Sequence, residues 1–452
     1  MKTIINISII ITLLFINFTF AQKDVTEMKV NGVQVLLKNA DNDVVAVNLF
    51  IKGGTTNLTP ETAGIENLTV QAVVTGGTKK FPKNEYNEWL EKLGSSIGGS
   101  SSDDYSVISM RCVKDNFDKT WELFEEVLLN PAFDEKELEL TREQLISQIK
   151  MEDTNPDALI RKAMVKWYFE GHPYANRQIG TVDNVKKITR DDVEKYYSQI
   201  FETSRMMLVA VGRIDKNIFE KKVSALFAKF LAGSYKDTPL PLPQKSQTAD
   251  YQIVEKPLPT NYVMGQYLLP SMNEPDFYAA QLAHSILRDR VFEEVRTKRN
   301  LSYAPSAAMI TEKTTTGFIY VSTTDPDSAI KVMVGELDRL KNETIPEKDM
   351  KNHKMRFLTM DYMRQETNAM QAGALAAAQL YTGSWKNATK LVENINKVTP
   401  ADIKNMSNKY IKNLNFVYVG KKKNVNEELL KHGGQLLAPT KEEDLPPPPP
   451  RN

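Results

Sequence analysis

The chain has 452 residues, with 58 basic and 57 acidic side chains and a formal net charge of +1. That balance, with no basic cluster interleaved with aromatics, excludes a charge-driven nucleic-acid partner. A hydrophobic share of 41% is enough for two or three domains with large cores, and Cys112, the only cysteine, leaves no intrachain disulfide.

Met1 to Ala21 reads as a secretory signal peptide. Lys2 supplies the positive start, Ile4 to Phe20 is almost wholly apolar, and Ala21 is the small residue a cleavage site requires. Export places the mature chain in the periplasm or cell envelope, with no membrane span after cleavage. The alternative, an uncleaved anchor, has an apolar run just short of the roughly 20 residues a span requires.

Residues 28–54 alternate as two strands, Met28–Leu37 and Val44–Ile51, around a turn at Asn39–Asp43. A short buried helix follows within Gly64–Thr78, closed by Gly76 and Gly77, a pair able to take a left-handed turn. On it Asn67, Val70 and Gln71 stand at i, i+3 and i+4 and share one face. Zinc peptidases use that spacing for two histidine ligands and a glutamate base. Here the positions hold two amides, which are poor zinc ligands, and a valine, which cannot move a proton.

Further along, Tyr86–Leu93 reads as a helix, Ser95–Ser102 is rich in glycine and serine, and Tyr105–Cys112 alternates as a strand. Helices are expected at Phe117–Leu129, Glu135–Ile149 (with Asp134 as N-cap), Asp157–Tyr168 and Thr189–Ile200, and a strand at Arg205–Gly212. Residues 233–248 form a linker in which Pro239, Pro241 and Pro243 forbid a continuing helix.

Beyond the linker the pattern returns. Ile188–Tyr197 matches Val398–Ser407, Met207–Gly212 matches Asn415–Gly420, and Glu135–Leu138 matches Glu347–Met350, at offsets of 210, 208 and 212 residues. One nearly constant offset implies two copies of a domain of about 210 residues, not a solenoid of short repeats. The expected fold class is α+β. Two homologous domains, 24–232 and 249–435, each form a mixed, mostly antiparallel sheet with helices packed on one face. Residues 436–452, charged and then proline-rich, read as a disordered tail.

The succession of Thr59–Glu66, the blank helix, Gly77–Pro82, Asn84–Ile97 and Asp104–Val107 resembles the insulinase/pitrilysin metallopeptidase family, which includes the mitochondrial processing peptidases. The resemblance implies half of a clamshell. It puts Asn67 and Gln71 on the two histidine ligands and Val70 on the glutamate base. It puts Gln148, 77 residues beyond Gln71, on the third ligand. All four positions are degenerate, so no cofactor is expected in this chain.

In the second domain Arg296 and Tyr303 match the family's Arg–Tyr pair, which holds the substrate backbone near the scissile bond. Ser95–Ser102 matches the strand to which a substrate adds as an extra strand, with Gly98 and Gly99 weakening that edge where active members carry Asn-Ala. The implied function is an exported, non-catalytic subunit of a heterodimeric zinc endopeptidase that binds and encloses peptide. Zinc is expected in a sister subunit. A homodimer, a scaffold without proteolytic role, and an active peptidase drawing zinc ligands from His172 or Glu66 are the alternatives.

The remaining candidates take structural readings. Asp103–Asp104 and Asp191–Asp192 read as turn and cap residues. Arg299 reads as solvated, the four histidines as structural or solvated, and Met350, Met355, Met360, Met363 and Met370 as core packing of a long helix.

Overall fold

The computed structural model describes residues 25–434, so the readings of Met1–Ala21 as a signal peptide and of 436–452 as a tail fall outside the described residues. The first sheet contains β1 (Val25–Val30), β2 (Val33–Lys38), β3 (Val44–Lys52), β4 (Ser96–Ser101), β5 (Tyr105–Val113) and β6 (Met206–Val211), in the order β1-β2-β6-β3-β5-β4. The second contains β7 (Tyr251–Glu255), β8 (Asn261–Leu268), β9 (Ser306–Ile310), β10 (Thr316–Thr323) and β11 (Asn415–Gly420), in the order β7-β11-β8-β10-β9. Apart from β1 the two sheets correspond strand for strand. Both contain one parallel pair, β2 with β6 and β7 with β11, and are otherwise antiparallel.

The repeat extends to helix ends. The helices Arg190–Ile200 and Pro400–Tyr410 each open with a capping box, Thr189 with Asp192 and Thr399 with Asp402. Each pair satisfies two backbone groups that a helix start leaves unpaired. Asp134 caps the Glu135–Thr154 helix by accepting from the Glu137 amide.

One strand differs from the sequence reading. Residues 28–37 are not one strand but the inner part of a hairpin, β1 and β2, turning at Asn31 (φ 48°) and Gly32 (φ 86°). An Asn-Gly pair suits a two-residue hairpin turn whose twist matches that of the flanking strands.

Each sheet packs its own half's helices on one face. The opposite face is covered by a helix from the other half. Asn368–Thr382 lies across the first sheet, with Ala372, Leu375 and Ala376 against Leu36, Phe50, Met207 and Val209. Pro156–Tyr168 lies across the second sheet, with Ile160 and Met164 against Met264, Tyr320, Val417 and Val419. The two helices start 212 residues apart, so the exchange obeys the repeat. Alanines let the first helix approach the strands closely. Asn368 fixes its start by exchanging amide hydrogen bonds with Asn42, at 2.8 and 3.0 Å. With both faces covered, β6 and β11 are buried at every residue.

Candidate functional site

The blank helix spans Ile65–Thr75. Gly64 opens it at φ 105°, where an added Cβ would lie 2.9 Å from Val185 Cγ2 and close to the Gly180 backbone, and Gly77 follows its end at φ 76°. Asn67 and Gln71 are half-buried and Val70 is fully buried.

Val70 is packed under β4. A Cβ on Gly99 would stand 2.7 Å from Val70 Cγ1 and 3.2 Å from the Val70 carbonyl oxygen, closer than such contacts occur. Gln71 Nε2 donates to the Gly99 carbonyl oxygen at 2.8 Å. Val70, which the resemblance puts at the base, is thus packing against the edge strand, and Gln71, which it puts at a ligand, is a tether to it. Gln148 is exposed on the Glu135–Thr154 helix and has no hydrogen bond to the other three residues. Two amides, one of them engaged with β4, an isopropyl group and a third amide do not fit zinc, and no zinc-dependent step follows from them. Among the described residues there is no group of three or more His, Cys, Asp or Glu able to hold a metal ion.

Glu66 and His172, the residues an alternative zinc site would require, have structural partners. The Glu66 carboxylate is fully buried and accepts from Ser106 Oγ at 2.6 Å, from Asn57 Nδ2 at 3.4 Å and from the Tyr196 hydroxyl. Burial raises its pKa against the opposing pull of those donors and of Arg205. His172 Nδ1 accepts from the Tyr174 amide at 3.1 Å, while its Nε2 lies 3.4 Å from Thr314 Oγ1. His284 is equally enclosed. Its Nδ1 lies 2.7 Å from the Ala280 carbonyl and its Nε2 2.8 Å from the Tyr267 hydroxyl, which sets a neutral ring that donates to the first and accepts from the second. Burial lowers its pKa to about 4.

Arg296 and Tyr303 do come together. The Phe277–Val291 helix continues into a π-helical stretch, Phe292–Lys298, and the chain turns away at Asn300 (φ 51°). Arg296 Cζ lies 4.1 Å from the Tyr303 ring centre and 5.0 Å from that of Phe292, so the guanidinium packs over both rings. Tyr303 is 79% exposed. Among the described residues neither side chain has a hydrogen bond or ion pair, and the pair makes none with Asn67, Val70, Gln71 or Gln148. The sequence reading missed Phe292, although its place four residues before Arg296 was visible.

Two of the structural readings are corrected here. Arg299 is not solvated: its side chain is 12% exposed and pairs with Glu294, itself 14% exposed. The methionines of the Glu347–Arg364 helix are not core packing. Only Met350 is buried, whereas Met355 and Met363 are more than half exposed.

The aspartates after β4 do more than turn the chain. Lys313 of the other half donates its amide to Asp104 Oδ2 at 2.9 Å, and the Tyr174 hydroxyl donates to Oδ1 at 2.6 Å. Asp103 meets Glu312, so the β4–β5 and β9–β10 hairpin tips, equivalent in the repeat, touch through two carboxyl groups. Burial first, and then the charges of Asp103 and Asp104, push Glu312 up to about 9.

Two consecutive α+β halves of matching topology, each lending a helix to the other, define a duplicated α+β fold. The family profile described as Insulinase (Peptidase family M16) matches residues 34–182, and the profile of the Peptidase M16 inactive domain matches 187–357. The chain belongs to the insulinase, or M16, peptidase family. A Rickettsia felis protein described as an uncharacterized zinc protease is 22% identical over 387 residues, covering 84% of this chain and 93% of the relative. Cytochrome b-c1 complex subunit 1 of Bos taurus is 24% identical over 259 residues, 57% of this chain and 54% of the relative. A crystal structure of a peptidase M16 inactive domain from Pseudomonas fluorescens superposes with a TM-score of 0.80 at 20% identity, over 88% of this chain and 98% of that one.

Proposed function

We propose that this chain is the non-catalytic subunit of an exported, two-subunit zinc endopeptidase, in which a sister chain carries the zinc and this chain helps to bind and enclose peptide. The observation that carries the reading is a contrast. Val70 and Gln71 are absorbed into packing against β4, while half-buried Arg296 packs on exposed Tyr303 with no side-chain hydrogen bond or ion pair of its own among the described residues. Chemistry has left the first half, and a group suited to hold peptide carbonyls persists in the second.

The test is cleavage of an unstructured peptide by the mature chain alone and mixed with a zinc-bearing family member from the same organism, with zinc analysis of both. The expected result is no stoichiometric zinc and no cleavage alone, with cleavage appearing on mixing. Zinc and cleavage in this chain alone would overturn the reading.

A second reading is a scaffold without proteolytic role, supported by the relative named as a subunit of the cytochrome b-c1 complex. The double variant Arg296→Ala/Tyr303→Ala separates the two. A large loss of activity in the assembled pair supports the peptidase subunit, and unchanged activity with assembly intact supports the scaffold.

A further inference from the structure

Arg296 differs from the cations around it. Arg288 lies 3.3 Å from Asp289, Lys298 lies 2.6 Å from Glu294, and Arg299 pairs with the same glutamate. Arg296, one turn earlier, has no carboxylate partner among the described residues. It packs over the rings of Phe292 and Tyr303 instead. Those contacts use the π-face of the rings and leave the guanidinium N–H groups without a side-chain acceptor among the described residues. Stacking also holds a long, flexible side chain in place before any ligand arrives, so less freedom is lost on binding.

A fixed, open guanidinium edge fits a planar group with two equivalent acceptors better than it fits a single carbonyl oxygen. Phe292 and Arg296, four residues apart, share one face of the helical stretch, and Tyr303 returns to that face from the following loop.

We propose that Phe292, Arg296 and Tyr303 form a carboxylate-reading clamp, which selects a peptide bearing an acidic side chain or a free C-terminus near the site. The proposal rests on the peptide-binding reading and makes Phe292 a positioning residue of it.

The test measures binding of fluorescent extended peptides to the full chain by anisotropy. One pair of peptides differs as Glu against Gln, the other as free C-terminal acid against amide. A parallel titration with glutarate follows the Arg296 side-chain N–H signal by NMR. Preference for the acid member of one pair, about tenfold or more, supports the clamp and identifies which carboxylate it reads. Arg296→Lys keeps the charge but loses the fork, and Phe292→Ala/Tyr303→Ala frees the guanidinium. Both are expected to erase most of that preference with the melting temperature unchanged. Peptides bound with no preference, or a full preference in Arg296→Lys, overturn the clamp and leave the peptide-binding reading standing. No peptide binding but a saturable glutarate response, lost in Arg296→Lys, overturns the peptide-binding reading and keeps the clamp. Neither response overturns both.

Discussion

Val70 occupies the space that a side chain on Gly99 would need, with its Cγ1 2.7 Å from the Cβ position. Val70 and the glycine in the edge strand are therefore one fitted pair. Gly99→Ala is expected to cost about 1–3 kcal/mol by overpacking. Val70→Ala also destabilises, because it leaves a void under β4. Combined, the two should cost clearly less than their sum, by about 1 kcal/mol, because each makes room for the other. Denaturant unfolding of the three variants measures the coupling, and simple additivity would show that the contact is not shared.

The hairpin tips make stability depend on pH. Glu312, enclosed with Asp103 and Asp104, holds its proton well above the ordinary glutamate range of about 4.5, and burial with neighbouring negative charge is the cause. Above that range the folded state binds more protons than the unfolded, so the stabilisation is complete below the ordinary glutamate value and is lost as the pH rises through the raised value of the pair. The facing groups are Asp103, Asp104 and Lys313, with Arg177 acting on Asp103, and the Tyr174 and Tyr381 hydroxyls on Asp104. Glu312→Gln keeps a hydrogen-bond donor and removes the ionisation. Its melting temperature should fall less between pH 5 and 9 (on the order of the interval set by the raised value) than that of the parent. Parallel curves would refute the assignment.

Arg299 and Arg296, three residues apart, should behave oppositely. Breaking the enclosed Arg299–Glu294 pair by Arg299→Ala leaves a carboxylate without its main partner and is expected to cost about 3–5 kcal/mol, with the Lys298 contact moderating the loss. Arg296→Ala removes only exposed stacking and should cost less than about 1 kcal/mol. Thermal unfolding of the two variants tests this.

The exchanged helices should make the two halves one cooperative unit. Ile160→Ala and Leu375→Ala truncate enclosed side chains on opposite crossovers, and each is expected to cost about 2–5 kcal/mol. Both should lower the midpoint of a single transition in calorimetry. Two separate transitions, with each variant moving one, would show that the halves unfold independently.

What could be read in the sequence was local or repeated. The Asp134 cap and the strand alternation depend on neighbours a few residues apart, and the near-constant offset is a repeat of such local patterns. The helix exchange was hidden because Leu375 meets strands far away in the chain. The one trace of it was β6 and β11, apolar at nearly every position, which implied two covered faces without saying by what. The Arg299–Glu294 pair was hidden for another reason. Residues five apart do not meet on an α-helix, and only the wider turn of Phe292–Lys298 brings them together. The blank positions Asn67, Val70, Gln71 and Gln148 were legible as residue types. That Val70 had become part of the seat of β4 was not, because nothing in a linear pattern pairs position 70 with position 99.

The crossed helices also bear on descent. A single half of this chain, translated alone, would carry one helix with no sheet of its own to cover and one sheet face with no helix to cover it. A second copy of itself would satisfy both needs at once. Two half-length chains exchanging this helix would therefore make the same contacts as the two halves of one chain. Each sheet keeps its covering helix from the other half, so side chains away from those two helix–sheet contacts can differ between the halves with the shared architecture undisturbed.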